Sequence, residues 1–179
     1  MNELSWIFKA RSYIGLTEVR GSKHNPTLIA MLKAMGKYSS ESKAWWVDDE
    51  TPWCGLFVGY TLGVSGRFVV KDWYRALEWE SEHLTKLDKP AYGCIVTFNR
   101  KGGGHVGFVV GRDKFDNIMV LGGNQNNQVS IIPFDTDRVS AYYWPSFWRD
   151  GKCVKSAPDI GRYTLPLLQS NGQVSTNEA

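Results

Sequence analysis

The chain has 179 residues, which is the size of one domain of about 150 residues with a short appendage. Hydrophobic residues make up 42% of it and charged residues 22%, a composition typical of a globular protein and not of a disordered one. The net charge of +3 is too small to indicate nucleic-acid binding, and the lack of a fixed repeat period excludes collagen, coiled coils and repeat arrays.

Signals for a membrane or for secretion are missing from the sequence. The uncharged stretch 51–66 contains four glycines and is shorter than the roughly 20 apolar residues that a spanning helix needs. The first residues contain no basic region followed by an apolar run. We therefore expect no membrane insertion, no secretory signal and synthesis in a cytoplasm.

Three cysteines, Cys54, Cys94 and Cys153, are too few and too irregularly spaced for a disulfide scaffold or a zinc site. Neither a metal nor a cofactor is expected. Cys94 falls in an apolar strand and is interpreted as a core residue, and Cys153 as a bystander.

Helices are predicted in the first half of the chain. Asn25 followed by Pro26 is a typical helix start, and Thr51-Pro52 repeats that pattern before an apolar segment. Two glycines interrupt this second segment, so a strand remains an alternative there. The predicted helices cover residues 4–14, 25–36, 52–62 and 72–80.

After Pro90 the pattern changes to short apolar runs separated by Asn, Gly and Asp, which is typical of strands joined by hairpins. Helices followed by such a meander predict an α+β fold with an antiparallel sheet. Residues 1–149 are assigned to the domain, and residues 150–179 to a partly disordered C-terminal extension. The predicted strands cover residues 93–98, 106–110, 118–121, 129–132 and 141–144.

Cys54 is the first candidate for chemistry. If Thr51 caps the helix, Cys54 lies in its first turn, where unpaired backbone N–H groups favour negative charge and are expected to lower the pKa of the thiol. A thiolate is the nucleophile that acyl transfer needs. From position alone, an inert core cysteine is the commoner alternative.

His105 is the candidate base. It follows a glycine run and opens a predicted strand, so its ring would be held rigidly and would still reach solvent, while Gly104 lets a substrate approach closely. An ordinary edge-strand histidine is the alternative.

Asn124 ends the next predicted strand. In an antiparallel hairpin that end returns beside the start of the first strand, so Asn124 is expected to lie near His105 and to orient its ring. Gln125 is a second candidate for the orienting role or for the oxyanion site. Asn126 and Asn127 are interpreted as turn residues.

Two further groups near Cys54 were considered. Trp53 could line a sugar or peptide groove, although packing is the commoner role of a tryptophan. Glu50 could serve as an orienting carboxylate. The acidic run 48–50 is interpreted as a solvated loop and not as a calcium site.

Together these segments resemble the CHAP and NlpC-type cysteine peptidase superfamily, and within it a group of phage and bacterial proteins. The resemblance covers roughly residues 5–147 and extends to the closing Tyr143-Trp144-Pro145. It departs from many CHAP relatives at Gly122, where those proteins have a glutamate. The motifs that carry it are Asp49-Glu50-Thr51-Pro52-Trp53-Cys54-Gly55-Leu56-Phe57-Val58, Gly104-His105-Val106-Gly107-Phe108-Val109-Val110-Gly111 and Leu121-Gly122-Gly123-Asn124-Gln125.

The resemblance implies a papain-like fold and a peptidoglycan hydrolase that cuts an amide in the stem peptide or between muramic acid and L-alanine. By position, Cys54 is the nucleophile, His105 the base and Asn124 the third member. The partner is then the bacterial cell wall, reached in the periplasm through a pore or a secretion apparatus. Alternatives are a contact-delivered antibacterial effector with an immunity partner, an inactive module that binds wall peptides, and a general cysteine protease.

Overall fold

The structure is a computed structural model that describes residues 2–19, 21, 23–38, 49, 51–100 and 103–176. Within these residues three α-helices precede eight β-strands, so the α+β class predicted from the sequence is confirmed. The helices are α1 (Ser5–Arg11), α2 (Pro26–Met35) and α3 (Cys54–Val64). The strands are β1 (Thr85–Leu87), β2 (Ile95–Arg100), β3 (Gly103–Arg112), β4 (Ile118–Gly122), β5 (Ser130–Phe134), β6 (Val139–Trp144), β7 (Phe147–Arg149) and β8 (Lys152–Val154).

The starts of α2 and α3 differ in their capping. Asn25 caps α2 as predicted, because its side chain accepts a hydrogen bond from the Thr27 backbone N–H. Helix α3 begins at Cys54, two residues later than predicted, with Trp53 as the N-cap and without a side-chain cap. The backbone of Trp53 lies outside the helical range, at φ −114° and ψ 18°.

Helix α3 lies in the core of the domain. It contacts α1 and α2 as well as strands β3 and β4, and apolar residues occupy every side of it. A helix that is hydrophobic all round is a buried helix, which explains why the sequence pattern also allowed a strand. Its first residue, Cys54, therefore faces the sheet from inside the fold.

Six strands form one antiparallel sheet in the order β1-β6-β2-β3-β4-β5. A flat sheet would hold β2 and β5 roughly 14 Å apart, at about 4.8 Å per neighbouring pair. Yet the rings of Phe98 on β2 and Phe134 on β5 stack at 4.4 Å. The sheet is therefore curled, and the curl encloses the side chains that project between these strands.

The region predicted as a helix over residues 72–80 forms only a short 3-10 turn, Ala76–Trp79. The indole N–H of Trp79 donates to the carbonyl oxygen of Trp73 at 3.0 Å. That carbonyl would otherwise accept the backbone hydrogen bond of an α-helix. Burial of both tryptophan rings thus takes precedence over the helical pattern.

Residues 150–176 run along the domain and hydrogen-bond to it. Strand β8 pairs with β7, and the backbone of Leu168 donates to the Arg112 carbonyl at 2.8 Å. The Ser170 hydroxyl donates to Asp113 at 2.6 Å. Among the described residues, the segment expected to be partly disordered therefore has defined partners on the sheet.

No helix in the described part of the chain is both long enough and apolar enough to cross a membrane.

Candidate active site

The thiol of Cys54 lies at the N-terminus of α3, where the residue keeps 5% of its surface exposed. Burial raises its pKa above the ordinary value for a thiol. The backbone N–H groups of Val106 and Gly55 and the positive charge of Arg100 favour the thiolate, but they offset only part of this effect. The expectation that the helix start lowers this pKa is therefore wrong, because the loss of hydration outweighs the attraction of these groups for the thiolate.

Strand β3 passes beside Cys54. The backbone N–H of Val106, the next residue along β3, faces the sulfur of Cys54. Helix α3 packs directly on the same strand. The segment of β3 that begins at His105 therefore runs past the thiol of Cys54, although the two residues are far apart in sequence.

The ring of His105 is fixed by stacking. It lies parallel to Phe134, with an interplanar angle of 6° and a centroid distance of 5.6 Å, and it also stacks on Phe98 at 6.0 Å. Only 1% of the residue is exposed, whereas the sequence predicted a ring that reaches solvent. The curl of the sheet explains the difference, because it places Phe134 over the ring.

Gln125 orients this ring. The side-chain Nε2 of Gln125 donates to the carbonyl oxygens of Ser130 at 2.8 Å and Val120 at 3.3 Å. Its Oε1 then faces His105 Nε2 at 3.2 Å and can only accept. The proton of the neutral imidazole is thus held on Nε2, and Nδ1 is left as the basic nitrogen.

The residue that contacts His105 is therefore Gln125 and not the predicted Asn124. Asn124 has a left-handed backbone, at φ 57°, which turns the chain after β4 and carries the Gln125 side chain back to the strand end. The carboxamide oxygen of Asn124 is buried and has no hydrogen-bond partner among the described residues.

Gly122 leaves room for the contact between Gln125 and His105. A Cβ at this position would point at the imidazole, 3.2 Å from His105 Nε2 and 2.5 Å from Gln125 Oε1. The Gln125 carboxamide thus occupies the space into which a side chain at position 122 would project.

The sequence predicts that Trp53 and Gly104 contact the substrate. Trp53 has no exposed surface and its indole N–H donates to Glu18 at 3.3 Å, so it is a packing residue and does not line an open groove. Gly104 is half-buried, and a Cβ there would meet the Leu77 side chain at 2.8 Å. The close approach predicted at Gly104 is thus made by Leu77.

Glu50 lies outside the described residues. Its neighbour Asp49 is buried and not solvated as predicted, because its carboxylate accepts hydrogen bonds from the backbone of Val19 at 2.8 Å and Asn25 at 2.7 Å. Burial alone would raise the pKa of Asp49, but these bonds and the contact with His24 lower it below its ordinary value. No group of three or more metal-ligating side chains was found among the described residues.

Arg100 is a site residue that the sequence analysis missed. It follows Phe98 by two positions on β2, and Phe98 pairs with His105 across the hairpin. Alternation along a strand places all three side chains on one face of the sheet. The predicted strand ends at residue 98, so Arg100 falls in the expected turn and is not singled out.

A cavity of about 380 Å³ lies elsewhere, lined by Glu3, Arg11, Tyr92, Arg162 and Leu165 among others, and none of the candidate catalytic residues borders it.

Comparison with known proteins identified no relative: no family model, no curated protein and no solved structure matches the chain.

Proposed function

We propose that the chain is a peptidoglycan hydrolase of papain-like fold, a cysteine amidase or endopeptidase. It would cut an amide in the stem peptide or the bond between muramic acid and L-alanine. The observation that carries the proposal is the His105–Gln125 hydrogen bond, which holds the Nε2 proton of a fixed imidazole and leaves Nδ1 as its basic nitrogen. In the proposed reaction this nitrogen acts on the thiol of Cys54. The substrate class rests on the resemblance of the three motifs to CHAP and NlpC-type enzymes.

The first half of the reaction uses all three residues. Nδ1 of His105 takes the proton of the Cys54 thiol as the sulfur attacks the carbonyl carbon of the amide. Gln125 keeps the Nε2 proton in place and orients the imidazolium that forms. The backbone N–H of Cys54 stabilises the oxyanion, and His105 then passes its proton to the departing amine.

Water completes the reaction. The acyl group is held on Cys54 as a thioester, and His105 removes a proton from a water molecule that attacks the thioester carbonyl. The products are a carboxylic acid and the free thiol, which forms when the departing thiolate of Cys54 takes the proton back from His105. Neither step needs a metal or an organic cofactor.

A raised thiol pKa is compatible with this mechanism. The thiol is stored in its protonated form, and the proton leaves as the sulfur attacks and not in advance. The base must therefore be correctly oriented, which gives the Gln125 contact its importance. Acting on a cell wall, the protein would work in the periplasm as a phage-type lysin.

The test is digestion of purified peptidoglycan with the wild type and with Cys54→Ala, followed by mass spectrometry of the released fragments. We expect the wild type to produce one new terminus per cleavage, and the identity of that terminus shows which bond is cut. The variant should produce none. Fragments released equally by the variant would contradict the proposal. Wall binding without any cleavage by the wild type would instead favour an inactive binding module.

A further inference from the structure

Arg100 ends strand β2 at the mouth of the β2–β3 hairpin, opposite Gly103. Because Phe98 pairs with His105, and Phe98 and Arg100 alternate along the strand, Arg100 extends from the face that carries the base.

The guanidinium of Arg100 has no counterion in the described part of the chain. Its Nε is enclosed and makes no hydrogen bond there, and no described carboxylate forms an ion pair with it. The rest of the side chain is only partly exposed. Its charge acts on the Cys54 sulfur, but burial raises the pKa of this thiol above its ordinary value, which disfavours an anionic partner there.

An unpaired guanidinium that is partly removed from water is costly unless an anion binds it. Its flat array of donors matches a carboxylate, which it can hold through two parallel hydrogen bonds. The place beside the nucleophile is where substrate atoms next to the scissile bond would lie.

We infer that Arg100 binds a free carboxylate of the substrate beside the scissile amide, so that the enzyme selects stem peptides in which this carboxyl group is not amidated. This inference rests on the proposed function. Stem peptides carry such groups on their D-glutamate and diaminopimelate residues, and amidation removes the charge while keeping the shape.

The experiment uses synthetic muropeptides with the carboxyl groups of D-glutamate and diaminopimelate free or amidated, in all four combinations. The kcat/KM of the wild type is expected to fall at least about tenfold when one of these two carboxyl groups is amidated. This factor is the scale of one charge-assisted hydrogen bond. Arg100→Met is expected to lose a similar factor on the free acid and almost nothing on the amidated peptide.

Arg149→Met, which removes an exposed charge from β7, is the control and should keep the wild-type preference. The thermal midpoint of Arg100→Met should not fall, because the variant removes a charge that has no counterion among the described residues. Equal cleavage of free and amidated peptides by the wild type would overturn the inference. An equal loss on both peptides in Arg100→Met would also overturn it, since the arginine would then act on the oxyanion. If the wild type cuts none of the four peptides, the proposed function fails as well.

Discussion

At the scale of single residues, the candidate site depends on which atom of Gln125 faces His105. The Gln125 Nε2 group donates to the carbonyl oxygens of Val120 and Ser130, so the side-chain oxygen of Gln125 is the atom that faces the His105 ring. This is a fixed hydrogen-bond direction, and its loss would free the ring to change tautomer.

Replacing Gln125 with Leu removes the acceptor while keeping most of the volume. We expect kcat to fall on the order of 10² to 10⁴-fold, the range seen for loss of an orienting partner or a general base. Gln125→Glu keeps an acceptor toward Nε2 and should retain more activity than the Leu variant. Cleavage of soluble muropeptides by both variants checks this, with circular dichroism to confirm folding. Equal activity of the two variants would contradict the orienting role.

The raised pKa of Cys54 predicts how the thiol reacts in the free protein. Alkylation of Cys54 by iodoacetamide should be slow near neutral pH and should still be increasing above pH 9, because 9.0 is the ordinary thiol value from which the shift starts. Peptide-resolved mass spectrometry measures the rate at each pH. An alkylation rate that already reaches its plateau below pH 7 would show a preformed thiolate and would contradict the raised pKa of Cys54.

At the scale of elements, helix α3 connects Cys54 to the rest of the fold. Its second residue, Gly55, packs so tightly that a Cβ would overlap the backbone carbonyl of Trp73. Near its other end, a Cβ at Gly63 would meet only the movable hydroxyl of Tyr38 at 3.0 Å and Val69 at 3.3 Å. The helix is therefore held rigidly at the end that carries the sulfur.

Alanine at each glycine tests this difference within one helix. Gly55→Ala is expected to lower the free energy of unfolding by about 1–3 kcal/mol, since the backbone it meets cannot move aside cheaply. Gly63→Ala should change it by less than about 1 kcal/mol, because the gain in helix propensity offsets a small adjustment. Urea denaturation compares the two. The same loss in both variants would rule out tight packing at Gly55 as the cause.

The sequence predicted the elements that place Cys54 and His105, because cap residues, apolar runs and turn residues are local signals. It could not distinguish Asn124 from Gln125. That choice depends on the left-handed backbone of Asn124 and on the carbonyl of Ser130, which comes from the following strand. It also missed the burial of the site, because the curl that brings Phe134 over His105 is a property of the whole sheet.

At the scale of the whole molecule, two buried carboxylates join distant segments. Asp49 connects the backbone of Val19 to that of Asn25. Asp113 connects the β3–β4 turn to the C-terminal segment through Ser170. Burial alone would raise the pKa of Asp113, but bonds from Ser170, Asn117 and Phe115 lower it below its ordinary value. Both carboxylates thus act as ionised hydrogen-bond acceptors.

The lowered pKa of Asp113 predicts how the free energy of unfolding depends on pH. A carboxyl group with a lowered pKa in the folded state stabilises the protein above its unfolded value of 3.8, and the effect is lost as the pH falls through the folded value. Asp113→Asn should therefore cost about 1–3 kcal/mol at pH 7, and its difference from the wild type should vanish at low pH. The exposed Asp116→Asn is the matched control and should change little. An unchanged unfolding free energy of Asp113→Asn at pH 7 would contradict the role of Asp113.

The most direct test of the account is labelling by a stem-peptide analogue that carries a chloromethyl ketone in place of the scissile amide. Peptide-resolved mass spectrometry should find one label per wild-type molecule, on Cys54, with Cys94 and Cys153 unmodified. Labelling should fall on the order of 10²-fold or more in His105→Ala, because the base that removes the thiol proton is gone. A wild type that folds but is never labelled at Cys54, or is labelled equally fast without His105, would contradict the central claim that these residues form a cysteine nucleophile and its base.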